Sequence, residues 1–526
     1  MAADATTGLS LPSRQPIRWW PSWILLACLV AAITYIRVTP RWSHQQKNMF
    51  TAQAVVLGFL LLLAWALLFS RFRWRLRIGL LAGLIALGAA AGGMLRIRGV
   101  SGDLLPIVEW RWKRPPVTLP RLSREKVAIG KAALSDSLTN SYPQFLGPTR
   151  DGIVHGPPLA TNWNATPPQL LWRQPVGPAW SGFAIQGRFA ITQEQRGADE
   201  TVVCYDLISG VSLWSHADPL HYQTTIAGEG PRATPTIAGA QVYAMGATGL
   251  LNCLDLATGE VLWSKNVPQD NDGHPGEWGI SCSPLVTSNL VLVTTGAAEG
   301  RSLAAYDAAS GARIWTGGTD VASYSSPTVL TLSGEPQVVI FTAKGVAGHA
   351  LSRGTVLWQH PWPGGHPHIV VPLLIGPERL LVSSGYGTGS ELLQIQRQPN
   401  ASWKVDRIWK SIRLKSKFAN IVFHDGFVYG LDDGILVCLN AATGELQWKQ
   451  GRYGHGQMIL TNGLLLLMAE NGSVLLLEAS PQGPRELSRL AALTGKTWNP
   501  PALAGRHLVV RNDQEAACYL LKAVPP

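Results

Sequence analysis

From about residue 170 to the end, the chain is a succession of short apolar runs broken by polar turns, a spacing that predicts strands. The fullest version runs from Leu251 to Trp263: an apolar run meets Asp255, the chain turns on Thr258-Gly259, and a second short run ends on Trp263. The pattern returns at Asp206, Gly210 and Trp214, at Asp307, Gly311 and Trp315, and at Asn440, Gly444 and Trp448. Each copy predicts two strands and a hairpin, since Asp, Asn, Ser and Thr bond backbone N–H groups across a bend and Gly takes positive φ without Cβ strain. The Trp four residues past the Gly is expected to bury its ring between neighbouring units, where its indole N–H needs an acceptor.

Degenerate copies fill the gaps. Ser352-Arg353-Gly354 with Trp358 keeps the turn, and Trp409 and Trp172 keep little besides the final strand. The series Trp172, Trp214, Trp263, Trp315, Trp358, Trp409 and Trp448 has intervals of 39 to 52 residues. Repeats of that length made only of short strands predict propeller blades. Pro235, Pro284, Pro327 and Pro372 fall where each unit's first strand opens, a boundary that tolerates a missing N–H. A weaker unit spans about Gln457 to Leu490, and His507–Val510 and Ala516–Leu521 supply inner strands with no outer strand after them. Leu170–Arg173, which has nothing before it to pair with, is expected to close that last blade, leaving no open edge and making eight blades.

The start of the chain has a different pattern. Trp19 to Ile36, Met49 to Ser70 and Ile78 to Leu95 are apolar stretches without internal charge, each about the ~20 residues needed to cross a hydrocarbon core. Arg71, Arg73, Arg75 and Arg77 crowd the second connection and mark it as cytoplasmic; Arg14 and Arg18 then also lie inside, and the third span delivers the rest outside. Arg37, Arg41 and Lys47 in the first connection, with Arg96 and Arg98 after the third span, reduce that contrast. The next stretch mixes Pro106, Pro115, Pro116 and Pro120 with basic residues; such a segment beside a span can touch lipid headgroups, but its composition favours a solvated spacer. The expected organisation is a cytoplasmic tail (1–18), three transmembrane helices (19–97), a basic Pro-containing linker (98–140) and an all-β eight-bladed β-propeller (141–526) outside the inner membrane.

Charge follows this division. The net charge is +11, yet residues 1–140 carry +13 and the remainder −2, so the high basicity belongs to membrane topology and linker. No basic face argues for nucleic acid. Cys204, Cys253 and Cys438 stand two residues before the turn Asp or Asn, where another unit has Ala305, and Cys518 lies in the matching strand of the last unit; that position calls for a small buried side chain, and no disulfide is expected among the four.

The connections into each blade's first strand emerge on one face around the axis, so their polar and aromatic residues converge there. They offer Glu229 and Arg232, Glu277 and Trp278, Asp320 and Tyr324, His366 and His368, Lys417 and Asn420, Arg452 and His455, Trp498 and Asn499 as a ligand-binding rim. His366 and His368 flank one Pro, so in an extended strand both rings would face one way. No carboxylate or Cys accompanies them nearby in sequence, and no metal site is expected. No phosphate loop or nucleophile elbow is present in the sequence.

The motif Leu254-Asp255-x-x-Thr258-Gly259-Glu260-x-x-Trp263 resembles the tryptophan-docking repeat of the pyrroloquinoline-quinone (PQQ)-like β-propeller superfamily. Pro143 to Gly152 is similar to the entry segment that precedes many exported bacterial propellers of this kind. The resemblance covers about residues 141–526 and implies either a quinone-dependent dehydrogenase or a propeller without cofactor, such as the lipoprotein scaffold of outer-membrane protein assembly. Dehydrogenases of the superfamily insert long segments between blades and carry an Arg-Tyr-Ser run after the entry segment; here the units are near the minimum for four strands and Arg150-Asp151-Gly152-Ile153 is not so followed. Membrane-bound glucose dehydrogenases of the superfamily do share several amino-terminal spans. For PQQ with calcium, the only assignment is Trp278 or Trp498 as platform, Glu277 or Glu229 with Asn420 or Asn499 as calcium ligands, and Asp320 as base. Those residues come from scattered blades, so the expectation is a non-enzymatic binding scaffold without cofactor; the alternatives are a PQQ-dependent dehydrogenase of alcohols or aldose sugars, or a sensor coupling ligand binding to the spans.

Overall fold

A computed structural model describes residues 17–40, 42–112, 119 and 141–524, and the chain forms two compact units, 1–114 and 115–526. In the first, three helices, Trp20–Val38, His44–Phe69 and Trp74–Met94, are long and apolar enough to cross a membrane. The second starts in a capping box: Ser43 Oγ accepts from Gln46 N at 3.2 Å and Gln46 Oε1 accepts from Ser43 N at 2.9 Å. Trp19 packs its ring against Trp65 and Phe72, so the start of the first helix lies beside the second connection. One expectation is corrected here. The stretch read as linker begins with an antiparallel hairpin, Leu95–Val100 paired with Pro106–Trp110. The rest of that stretch beyond 112, apart from residue 119, and Arg14 in the tail lie outside the described residues.

The second unit is the eight-bladed propeller. Blade 1 comprises Ala184–Gln186, Phe189–Arg196, Asp199–Asp206 and Ser212–Asp218, with Ser141–Tyr142 added on its inner edge. Blades 2 to 7 begin at Thr236, Leu285, Thr328, Leu373, Val422 and Gln457, and each is four antiparallel strands in sequence order. Blade 8 takes Ala502–Ala504, His507–Arg511 and Glu515–Leu520 from the end of the chain and Gln169–Pro175 from its start, with Cys518 opposite Trp172. Pairing the two ends within one sheet closes the ring. Pro235, Pro284, Pro327 and Pro372 each immediately precede a first strand.

Each blade repeats one detail: a bulge follows the third-strand residue that faces the outer-strand Trp position, as at Cys204/Tyr205, Cys253/Leu254 and Cys518/Tyr519. The facing residue is small in six of the eight, Cys four times, with Ala305 and Gly348 in blades 3 and 4; blades 5 and 7 place Leu392 and Leu476 there. The four Cys are buried, and burial pushes the Cys253 and Cys438 thiols up to about 11. The Trp then reaches forward. Trp172, Trp214, Trp263, Trp315 and Trp409 donate their indole N–H to a carbonyl in the next blade's hairpin at 2.9 to 3.1 Å, on Leu207, Leu256, Ala308, Leu351 and Ala441. Their rings lie on the hairpin glycines Gly210, Gly259, Gly311, Gly354 and Gly444, where an added Cβ would come within 2.2 to 2.7 Å of the indole. These glycines also hold φ between +68° and +73°, so the turn and the dock both require a residue without Cβ.

Candidate functional site

The site is the mouth of the ring. The residue four positions before a blade's first strand is Trp180, Arg232, Ser281, Tyr324, Ile369, Phe418 and Trp498 in blades 1 to 6 and 8, and all seven line one central cavity of about 180 Å³. Trp278, Tyr386 and Phe145 complete its aromatic wall. The rings pack at a tilt: Trp278 is 5.3 Å from Tyr324, Trp498 is 4.9 Å from Trp180 and 4.8 Å from Phe418.

Two positions further along, small polar residues lock the blades together. Gly182 N donates to Thr234 Oγ1 at 2.9 Å, Thr234 N to Ser283 Oγ at 3.0 Å and Ser283 N to Ser326 Oγ at 2.9 Å. Ser325 Oγ then donates to Val370 O, Val371 N to Asn420 Oδ1, Asn420 N to Gln457 Oε1, Gln457 Nε2 to Trp498 O, and Asn499 Nδ2 to Ala179 O and Ser181 O. The relay passes through all eight blades and returns to the first. It fixes the aromatic residues, two positions earlier in the chain, on a rigid ring. Asn420 lines the cavity, and its buried Nδ2 has no hydrogen-bond partner among the described residues.

The entry segment crosses this ring. Ile237 N donates to Pro143 O in blade 2, buried Arg150 donates to Ser283 O at 3.0 Å and Pro284 O at 2.9 Å in blade 3, and Val154 N bonds Leu460 O in blade 7, on the far side. Burial lowers the Arg150 guanidinium to about 10. This path sets Phe145 into the cavity wall.

Of the residues nominated from sequence, Arg232, Trp278, Tyr324, Asn420 and Trp498 line the cavity and the others do not. Arg232 is a clamp: it donates to Trp278 O, Gly230 O and Gly228 O at 3.1, 2.7 and 2.8 Å, and burial brings its pKa down to about 10. Glu229 sits in a small hairpin with His221 at 2.8 Å, and Glu277 and Arg452 are exposed. Asp320 ties its loop to a hairpin of blade 4, accepting from Val321 N, Lys344 N and Thr342 Oγ1. The two histidines diverge, contrary to expectation. His366 is exposed and stacks on Tyr386 at 4.9 Å, whereas His368 is buried on Phe341 at 4.3 Å with Nδ1 on Thr342 O, and burial lowers its pKa. The backbone through His366-Pro367-His368 is irregular, so the alternation of a strand does not apply. His455 and Asn499 are buried in the ring behind the cavity, His455 against Phe418. Lys417, also buried, lies 5.2 Å over the Tyr386 ring, and Lys496 lies 4.1 Å over Trp498.

Trp180, Tyr386, Phe418 and Phe145 were missed. For Trp180 and Phe418 the signal was present: each stands at the same offset before a first strand as Tyr324 and Trp498. Tyr386 comes from an inner hairpin and Phe145 from the entry segment, neither of which that offset reaches.

The family model described as "Outer membrane protein assembly factor BamB" matches residues 153–281 and 198–450, which together exceed half the chain. No curated protein matches. Among solved structures, BamB from Moraxella catarrhalis is 16% identical with a TM-score of 0.51, covering 67% of this chain and 99% of that one. Quinohemoprotein alcohol dehydrogenase from Comamonas testosteroni is 12% identical with a TM-score of 0.54, covering 76% and 83%. Quinohemoprotein alcohol dehydrogenase ADHIIG from Pseudomonas putida HK5 is 11% identical with a TM-score of 0.55, covering 76% and 83%. These three likenesses concern the propeller fold, which both a BamB and the quinone enzymes share. By its eight blades, joined at six seams by a Trp hydrogen bond, and the match across more than half its length, the chain belongs to the PQQ-like propeller-repeat family whose model is described as outer membrane protein assembly factor BamB.

Proposed function

We propose that the protein is a membrane-anchored propeller, carried on the extracytoplasmic side of the inner membrane, that binds a protein or small-molecule partner at its central funnel without catalysing a reaction. The observation that carries this reading is the cavity lining: aromatic rings from six blades and the entry segment, hydroxyl and amide groups beneath them, and, among the described residues, no carboxylate. Aromatic walls with a few fixed polar groups suit recognition.

The quinone alternative finds less support. Calcium at a quinone needs several carboxylate or carbonyl oxygens in one place. Glu229 and Glu277 stand outside the cavity, Asp320 ties its loop to a hairpin of blade 4, and Asn420 Oδ1 already accepts from Val371 N. The family's description as an assembly factor, and the BamB likeness, favour a protein partner. Placement outside the cytoplasm rests on Arg71, Arg73, Arg75 and Arg77 in the second connection, with three spans between the tail and the propeller.

The test is photo-crosslinking in native membranes from a benzoyl-phenylalanine placed at Ile226 or Ile369 in the funnel. A discrete adduct lost in the Trp180→Ala/Trp498→Ala double variant is expected. Absence of any adduct, together with saturable PQQ binding in the presence of calcium, would move the protein among the oxidoreductases.

A further inference from the structure

The hairpin Leu95–Trp110 is built with its apolar side outward. Ile97 pairs with Val108 and Leu95 with Trp110, so these four share one face, and Ile97, Val108 and Trp110 are exposed, Ile97 by 70%. Arg96, Arg98 and Glu109 occupy the other face, where both arginines approach Glu109, at 3.4 and 3.5 Å. Trp112, just past the second strand, stacks on Trp110 at 4.8 Å and is also exposed. A soluble two-stranded ribbon would turn such a face toward a core, and in water it has little independent stability.

Both ends of the hairpin are fixed to the helical unit. Leu95 follows Met94, the last residue of the third helix, with no intervening loop. The tip is tied to the first turns of the second helix: Asp103 lies 3.0 Å from His44 Nδ1, and Asn48 Nδ2 donates to Asp103 O at 3.1 Å. The ribbon therefore lies across the end of the helices from the third to the second, instead of projecting along their axes. Its apolar face continues a helix of which no residue is buried.

We propose that this hairpin is an interfacial anchor, with Leu95, Ile97, Val108, Trp110 and Trp112 seated in the headgroup–acyl boundary of the bilayer and the arginine face turned to the headgroups. The inference rests on the reading of the three helices as membrane spans. Trp at the level of the headgroups is the common residue of membrane interfaces, and arginine stems bury their methylenes while the guanidinium stays hydrated.

Spin labels test it on the full chain in phosphatidylcholine–phosphatidylglycerol vesicles, with Ile97→Cys or Val108→Cys in a Cys28→Ser background, where the five remaining native cysteines are buried, and with Ile85→Cys within the third helix as control. The expected result is a ratio of oxygen to nickel-chelate collision rates above unity at Ile97 and Val108 and higher still at Ile85. Water-like ratios at Ile97 and Val108 with a lipid-like Ile85 overturn the anchor and leave the spans intact. A water-like Ile85 overturns the spans and the anchor together. Labels at Ile97 and Val108 shielded from both reagents also overturn the anchor, because protein would then cover the face.

Discussion

Two kinds of seam join the blades. Between blades 1 and 2, 2 and 3, 3 and 4, 5 and 6, and 8 and 1, a Trp lies on the next blade's hairpin glycine and donates to its carbonyl. The seam from 6 to 7 keeps the hydrogen bond, Trp448 to Ser480 O at 2.9 Å. The seams from 4 to 5 and from 7 to 8 lack the dock. Blade 5 turns on Gln398–Ser402 without a docking Gly, so Trp358 bonds Gln337 Oε1 of its own blade at 2.6 Å, and Trp362 Nε1 reaches Ser384 in blade 5 at 2.8 Å. Polar contacts span the same seam, Glu335 of blade 4 pairing with Arg397 of blade 5 at 3.3 Å and His360 Nε2 lying 2.9 Å from Glu391. In blade 7 Ser488 faces Leu476 where a Trp would stand, and the stretch between the entry segment and Gln169 brings buried Trp163 to it, with Trp163 N donating to Ser488 Oγ at 2.9 Å. At both seams that lack the dock, a buried Trp from outside the repeat motif bonds a neighbouring blade instead, Trp362 to blade 5 and Trp163 to blade 7.

That comparison sets the size of mutational effects. Trp214→Ala at a regular seam and Trp163→Ala at the irregular one should each lower the unfolding free energy by roughly 3–5 kcal/mol, the usual cost of truncating a buried aromatic. Denaturant titration of the detergent-solubilised chain measures both, and a neutral Trp163→Ala would break the equivalence. Next in size is a pair of glycine substitutions that separates backbone strain from docking. Gly239 and Gly259 both hold positive φ, +60° and +70°, but an added Cβ meets nothing at Gly239 and the Trp214 ring at 2.4 Å at Gly259. Gly239→Ala should cost about 1–2 kcal/mol for the left-handed backbone alone. Gly259→Ala should cost clearly more, and equal melting shifts would show that the dock adapts.

A third test uses pH at the seam from 1 to 2. Glu200 of blade 1 is buried, accepts from Ala247 N at 3.1 Å beside blade 2, and burial pushes its carboxyl from 4.5 up to about 7. The folded state then holds a proton between about pH 4.5 and 7 that the unfolded chain releases. Its contribution is fully present below 4.5 and is lost as pH rises to about 7. Glu200→Gln should flatten that slope in melting temperature against pH, and an unchanged slope would assign it to other groups. Smallest is Lys410→Ala, which removes a partner 3.0 Å from Glu391 at the irregular seam from 4 to 5. Half-exposed and one of several cations there, it should change stability by only about 0–1 kcal/mol in the same titration.

The sequence by itself determined the repeat, the blade number and the closing strand, because those follow from local chemistry: the turn spelling at Asp255 to Gly259, the Trp spacing, and an unpaired strand at each end of the repeat region. It also marked three helices by length and apolarity alone. It marked part of the mouth: Arg232, Trp278, Tyr324, Asn420 and Trp498 reach the cavity, while Glu229, Glu277, Asp320, His366, His368, Lys417, Arg452, His455 and Asn499 do not. Which loop residues turn inward depends on backbone direction at single positions, and that direction is set by hydrogen bonds between blades that are distant in sequence, from Gly182 to Thr234 around to Asn499 and Ala179. Likewise Trp163 at the irregular seam and Phe145 in the cavity come from a segment that obeys no repeat and is placed only once the finished ring offers it Ser283, Leu460 and Ser488. Local spelling determines strands and turns because their partners lie within a few residues; a binding surface assembled across the ring axis depends on contacts that form only after closure.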